Sequence, residues 1–119
     1  MEDTTHLEYW QFNGSSPISD FLMHVEVNDL KQIKKKDELF SKKTVRELCL
    51  SRDLTKIKGT GNPPLYELRY QFKNPYRAIC LRIKENELLI VEIFRGSGSG
   101  GEVEKHLPIA IKRAKTIIP

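Results

Sequence analysis

The chain has 119 residues, which is enough for one folded domain with one core and too few for two. Hydrophobic residues make up 39% and charged residues 30% of the chain, a balance that excludes a largely disordered protein. The longest apolar run is about seven residues, far short of a membrane helix, and the polar start has no signal-peptide pattern. We therefore expect a cytoplasmic protein without a membrane partner.

Cysteine and histidine spacing gives no support to a metal or any other cofactor. Cys49 and Cys80 stand in apolar contexts without metal-ligand spacing, which predicts reduced, buried thiols. Although the net charge is only +4, many basic residues are concentrated in two stretches, Lys31 to Lys43 and Lys105 to Lys115. Such stretches suit a phosphate-backbone partner, and they equally suit solvated helix faces.

The N-terminal segment predicts a strand followed by a short helix. His6 to Phe12 is rich in aromatic residues, as strands are. Ser16 and Pro17 then mark a helix start, with the Ser16 side chain as the cap and Pro17 in the first turn.

Further helices are predicted before the next strand. Asn28 or Asp29 is expected to cap a second helix, and Thr44 a third helical piece that ends at Leu50. Ser51 to Pro64 is predicted to be a polar loop.

Leu65 to Phe94 predicts a three-stranded antiparallel meander. Leu65, Glu67 and Arg69 alternate with aromatic and apolar residues, so their face is expected to be exposed to solvent. Turn residues separate the strands, and the last strand is almost entirely apolar, which predicts cover on both of its faces.

The C-terminal segment predicts a helix after a linker. Residues 96–101 read Gly-Ser-Gly-Ser-Gly-Gly, which is the composition of a flexible spacer. Glu102 to Ile118 has helical spacing, and Pro108 predicts that the regular helix begins near Leu107. The order predicts a single α+β domain over residues 1–119: a small twisted antiparallel sheet with two or three N-terminal helices and one C-terminal helix, packed on one side.

These residues carry a family pattern. Lys56 to Gly59, the LYELR of Leu65 to Arg69, Tyr76-Arg77, the strand ending at Phe94, and Ala110 to Arg113 together resemble the RelE/ParE superfamily of toxins. Within that superfamily the chain is most similar to the HigB-like, phage-derived branch. The likeness covers essentially the whole domain, and its specific part is the YELR and YR region.

The resemblance implies a toxin of a type II toxin–antitoxin system. HigB-like and RelE-like members are ribosome-dependent endoribonucleases that cut mRNA in the ribosomal A site, whereas ParE-like members inhibit DNA gyrase. The implied partners are a cognate antitoxin protein and mRNA on the ribosome near 16S rRNA. Two alternatives stay open: gyrase inhibition, and a module without catalysis that binds only its antitoxin.

A ribonuclease without metal needs a base for the 2′-hydroxyl, cations for the phosphorane and an acid for the leaving oxygen. Arg77, directly after a tyrosine, matches the family arginine expected at the scissile phosphate, and Arg69 matches a basic position on the preceding strand. The candidate catalytic residues are Arg69, Arg77, Arg95 and His106. The candidate RNA-binding residues are Lys56, Lys58, Tyr76, Lys112 and Arg113.

Each of these residues also has a structural interpretation. Arg69 can form exposed cross-strand pairs with Glu67 or Glu92, and Arg77 can protect a sheet edge. Arg95 can simply flank the linker, the tyrosines can pack in the sheet, and His106 can lie on the surface at a helix start.

The chain departs from the branch pattern after Arg95. Relatives continue there with a basic pair and a Lys-Thr-rich segment, and this chain has the Gly/Ser run of residues 96–101. Either an original loop has been replaced by an inert spacer, or the loop is natural and divergent. Both explanations imply a nuclease weakened or inactivated at this point.

Overall fold

Residues 3–60, 63–96 and 101–118 are described by a computed structural model of the chain. In chain order these residues form β1 (His6–Tyr9), α1 (Pro17–Leu22), α2 (Val27–Ser41), α3 (Val45–Leu50), β2 (Leu54–Lys56), β3 (Leu65–Tyr70), β4 (Tyr76–Lys84), β5 (Glu87–Arg95) and α4 (Glu102–Ala114). The four central residues of the Gly/Ser run, residues 97–100, lie outside this part of the chain.

The strands form one five-stranded mixed sheet in the order β1-β5-β4-β3-β2. The predicted α+β class and the β3-β4-β5 meander are confirmed. β1 pairs in parallel with β5, with His6 opposite Glu87, so the sheet is not purely antiparallel. β2 adds a short edge strand inside the segment predicted to be a polar loop, because Leu54 lies opposite Leu68 and is 1% exposed.

Helices cover both faces of the sheet, not one. Tyr66, Leu68 and Tyr70 of β3 pack with α1, α2 and α3 in one apolar cluster. Leu65 of β3 and Ile79 of β4 belong to a second cluster with the inner residues of α4. We call the two sides the three-helix face and the α4 face. The sequence predicted that the α4 face is exposed to solvent. This prediction is wrong at Leu65, which is fully buried.

A β-bulge in β5 resets the alternation of its side chains. Ile79 lies opposite Glu92 and Cys80 opposite Ile90, so Val91 is the extra residue. Val91 packs in the α4 cluster, and Glu92 contacts side chains of α4. The bulge therefore directs two successive side chains of β5 to the α4 face.

The starts of the first three helices fit the predictions unevenly. Ser16 precedes α1, but its side chain makes no capping hydrogen bond. α2 begins after Glu26, and Asp29 is inside the helix because its buried carboxylate accepts a hydrogen bond from the sheet. Thr44 caps α3 as predicted: its hydroxyl accepts from the amide of Glu47, whose carboxylate accepts from the amide of Thr44.

α4 begins at Glu102 and continues through Pro108, five residues earlier than the proline predicted. Proline removes one backbone donor from the helix. Val103 and Leu107 precede it and already pack against the sheet, so their burial keeps the first turns helical. Among the described residues, no helix combines the length and the apolar character that crossing a bilayer requires.

A buried carboxylate on α2 joins two strands across the three-helix face. Asp37 accepts hydrogen bonds from the hydroxyls of Tyr9, at 2.8 Å, and Tyr70, at 2.6 Å. Burial raises the pKa of Asp37 and, with the nearby carboxylate, raises the pKa of both tyrosines. Cys80 beside this network is a buried free thiol whose pKa burial raises, and Cys49 is a free thiol only partly buried.

Candidate functional site

Arg69 and Arg77 lie on the same face of the sheet, next to each other. They are directly opposite partners on β3 and β4, and both belong to the α4 face. Opposite residues on neighbouring antiparallel strands have Cβ atoms about 5 Å apart. Two like charges at that spacing repel, so the fold must supply a carboxylate between them.

Glu67 supplies that carboxylate. It lies two residues before Arg69 on β3 and therefore on the same face. Its Oε1 contacts Nη1 of Arg77 and is 3.5 Å from Nε of Arg69. The side chains are 30% exposed for Arg69, 16% for Arg77 and 12% for Glu67, so the triad is half-buried and still reachable from solvent.

Two buried atoms of the triad lack a hydrogen bond. Within the described part of the chain, Nε of Arg69 and Oε1 of Glu67 are both buried and make none, although they lie 3.5 Å apart. A buried donor without a hydrogen bond is costly unless a ligand or water reaches it. Burial lowers the pKa of the Arg77 guanidinium, which nevertheless starts from such a high value that the group stays charged at neutral pH.

His106 reaches the same region through an aromatic stack. Phe94 of β5 lies opposite Arg77, and the His106 ring stacks on Phe94 with centroids 4.1 Å apart and planes 3° apart. Nδ1 of His106 is 3.0 Å from Oε2 of Glu92. This contact with the carboxylate fixes the orientation of the ring.

Arg113 holds α4 on the sheet. Its Nη1 donates to the carbonyl of Val91 at 2.7 Å and lies 3.4 Å from Oε1 of Glu92. The guanidinium also lies 5.1 Å from the ring centre of Trp10. With its side chain 15% exposed, Arg113 is committed to packing, which conflicts with its predicted contact to RNA.

Tyr76 and Arg95 point away from the triad. Tyr76 is 3% exposed on the three-helix face, and its hydroxyl donates to Asp29 at 2.8 Å. Burial and that carboxylate raise the pKa of Tyr76 to about 12. A ring packed in this way has no face for an RNA base, contrary to the predicted role. Arg95 is exposed and lies opposite Tyr76, so strand alternation places it on the same side.

The predicted lysines are all at the surface. Lys56 is exposed on the edge strand β2, and Lys58 follows it in an exposed turn. Lys112 is exposed on α4. These positions suit backbone contacts to a nucleic acid, in which lysine acts as a point charge.

Two carboxylates of the site, Glu67 and Glu92, were considered from sequence only as cross-strand partners of Arg69 and not as site residues. Glu67 could have been found, because a carboxylate two positions from an arginine on a strand shares its face. Glu92 could not, since its orientation depends on the bulge at Val91. No group of three or more His, Cys, Asp or Glu side chains in the described ranges could hold a metal ion.

Comparisons with protein-family models, with curated proteins and with solved structures find no match for this chain.

Proposed function

We propose that this chain is a toxin of a type II toxin–antitoxin system, of the HigB-like branch of the RelE/ParE superfamily, acting as a ribosome-dependent mRNA endoribonuclease. The observation that carries the proposal is the arrangement of Arg69 and Arg77 as cross-strand partners around one carboxylate, Glu67. Paired cations beside a carboxylate are the groups that cleavage of RNA without metal requires.

Each residue of the triad has a role in this chemistry. Glu67 takes the proton of the 2′-hydroxyl as that oxygen attacks the neighbouring phosphorus. Arg77 and Arg69 stabilise the extra negative charge of the phosphorane. His106 is oriented by Glu92 and stacks on Phe94, the residue of β5 opposite Arg77. It donates a proton to the leaving 5′-oxygen. The products are a 2′,3′-cyclic phosphate and a 5′-hydroxyl.

The Gly/Ser run bears on activity because it joins β5, which carries Phe94, to α4, which carries His106. Relatives that the chain resembles have basic residues there, which would grip the RNA backbone. A chain with glycine and serine instead keeps the triad and lacks those contacts. We therefore expect weak cleavage by this sequence and stronger cleavage when residues 96–101 are replaced by a basic loop.

The test compares four inducible forms: the chain itself, the chain with a basic loop at residues 96–101, and each of these with Arg77→Ala. The proposal predicts growth arrest and strong cleavage of ribosome-bound mRNA for the basic-loop form, and weak cleavage without growth arrest for the chain itself. Arg77→Ala should abolish cleavage in both, and co-expression of the neighbouring antitoxin gene should relieve the growth arrest. If the basic-loop form leaves growth and ribosome-bound mRNA intact, the proposal is wrong.

A second candidate is a non-catalytic member that acts on DNA gyrase or only binds its antitoxin. It is favoured by the contacts of His106 and Arg113 with Glu92, because in this candidate both residues serve only to hold α4 on the sheet. A DNA supercoiling assay separates the candidates, because loss of gyrase activity without mRNA cleavage supports only this one.

A further inference from the structure

We propose that Glu67 sets the charge selectivity of the Arg69–Arg77 site, so that it accepts a monoanionic phosphodiester within an RNA chain and rejects a dianionic terminal phosphate. This inference rests on the proposed function in one respect, that the site receives an RNA phosphate. It adds a property that the two arginines alone would not have.

The charge of the triad matches one phosphodiester. Two guanidinium groups in contact with the same carboxylate favour its ionised form, so Glu67, Arg69 and Arg77 together carry one net positive charge. A phosphodiester carries one negative charge and makes the occupied site neutral. A terminal phosphate carries close to two negative charges above about pH 6 and leaves the occupied site negative.

Neighbouring cations among the described residues compensate the second charge only weakly. Arg52 and Lys56 line a surface cavity together with Arg69, but both are exposed, so water screens their charges. On β2 the residue opposite Glu67 is Thr55, which is neutral. On β4 the residue opposite Glu67 is Ile79, and beyond it Glu92 is already matched by His106 and Arg113 of α4. The second charge of a terminal phosphate would therefore lie beside the carboxylate of Glu67 with only screened cations nearby.

Burial strengthens the repulsion between the Glu67 carboxylate and the second charge of a terminal phosphate. The Glu67 side chain is 12% exposed, so water screens its charge less than that of a surface glutamate. A unit charge opposing another at a partly buried site changes affinity by about tenfold. Exposed carboxylates elsewhere on the chain are screened and should have no such effect.

The experiment measures binding of two 2′-O-methyl oligoribonucleotides by calorimetry at low salt and about pH 7.5, where a terminal phosphate is dianionic. The two have the same sequence, and only one carries a 3′-phosphate. Neither can be cleaved, because the 2′-oxygen is blocked. We expect the wild-type chain to bind both within about twofold, and Glu67→Gln to prefer the phosphorylated one by about tenfold.

One further variant guards against a folding defect in Glu67→Gln, and two more serve as controls. Thr55→Lys adds a cation next to Glu67 on an exposed position of the edge strand, so it should shift the preference in the same direction. Thr55→Gln, its matched control, should not. Glu38→Gln removes one exposed charge from α2, on the three-helix face, and should also leave the ratio unchanged.

The inference is overturned if folded Glu67→Gln and Thr55→Lys both keep the wild-type ratio, if the wild-type chain already prefers the terminal phosphate by tenfold, or if it binds neither oligonucleotide. Cleavage is not a readout here. Ribosome-bound mRNA that stays intact while the ratio shifts as expected refutes the nuclease and leaves the selectivity standing. Cleavage without any shift refutes only the selectivity.

Discussion

Arg69 and Arg77 face each other across β3 and β4 and share the carboxylate of Glu67. The two positive charges are tolerated at this spacing because the carboxylate lies between them. Removing any one member should therefore affect folding as well as chemistry, and the predictions separate the two.

Arg77→Ala is expected to lower mRNA cleavage by the basic-loop form by about 100-fold, since it removes a cation from the phosphorane. It should also lower the free energy of unfolding by about 1–3 kcal/mol, because Glu67 loses its closest partner in a half-buried site. Arg77→Lys keeps the charge and should recover part of the stability and little of the rate. Cleavage on programmed ribosomes and urea unfolding measure the two effects. Arg46→Ala, at an exposed position of α3, is the control.

Tyr70→Phe is expected to destabilise the fold by about 1–3 kcal/mol at neutral pH, because buried Asp37 loses the hydrogen bond from the Tyr70 hydroxyl. The raised pKa of Tyr70 means that the folded state keeps this proton above pH 10 while the unfolded state releases it. Wild-type stability should therefore fall as pH rises beyond 10, by up to about 1.4 kcal/mol per pH unit from this group, and the variant lacks that loss. Urea unfolding should show that the difference in free energy of unfolding between the wild type and Tyr70→Phe is smaller at alkaline than at neutral pH. A difference that stays constant with pH would contradict the prediction.

Glu92→Gln should loosen α4 while the sheet stays folded. Its carboxylate binds both His106 and Arg113, so its loss leaves two contacts to α4 without their charge partner. Hydrogen exchange of the α4 amides should become about tenfold faster, corresponding to about 1.4 kcal/mol of local stability. Glu87→Gln at the start of the same strand is the matched control. Unchanged exchange in α4 would show that apolar packing alone holds the helix.

Lys56→Ala and Lys112→Ala should weaken RNA binding through charge alone. Each phosphate contact that is lost should reduce the slope of log affinity against log salt by about 0.7 for a single strand. Arg113→Ala should leave that slope unchanged and instead shift the Trp10 emission to longer wavelength, because the guanidinium covers this tryptophan. Trp10 is the one tryptophan of the chain, so its emission reports this site alone. A reduced salt slope in Arg113→Ala would restore its predicted role in RNA binding.

Much of the fold could be predicted from local patterns. The alternation from Leu65 to Tyr70, the turn residues and the capping box at Thr44 are short-range signals, and each corresponds to an element of the structure. Pairing between strands far apart in the chain was not predicted. The parallel pairing of β1 with β5 joins residues about 80 positions apart, and no local pattern encodes it.

In the candidate site, too, the local arrangement could be predicted and the features that depend on register could not. Strand alternation predicts that Arg69 and Glu67 share a face, and meander pairing brings Arg77 beside them. Tyr76 was placed with RNA because it precedes Arg77, although adjacent strand residues point to opposite faces. The orientation of Glu92 depends on a bulge, and a one-residue register change has no sequence signal in an almost entirely apolar strand.

The parallel pairing of β1 with β5 has a consequence for synthesis of the chain. β1 carries the N-terminal segment to a place beside β5, and the indole of Trp10 then donates to Thr116, 106 residues further along. During translation the first strand has to wait until the meander and α4 have emerged from the ribosomal tunnel. Until then β1 has no partner strand and the α4 face stays open, although β4 is already available when β5 emerges.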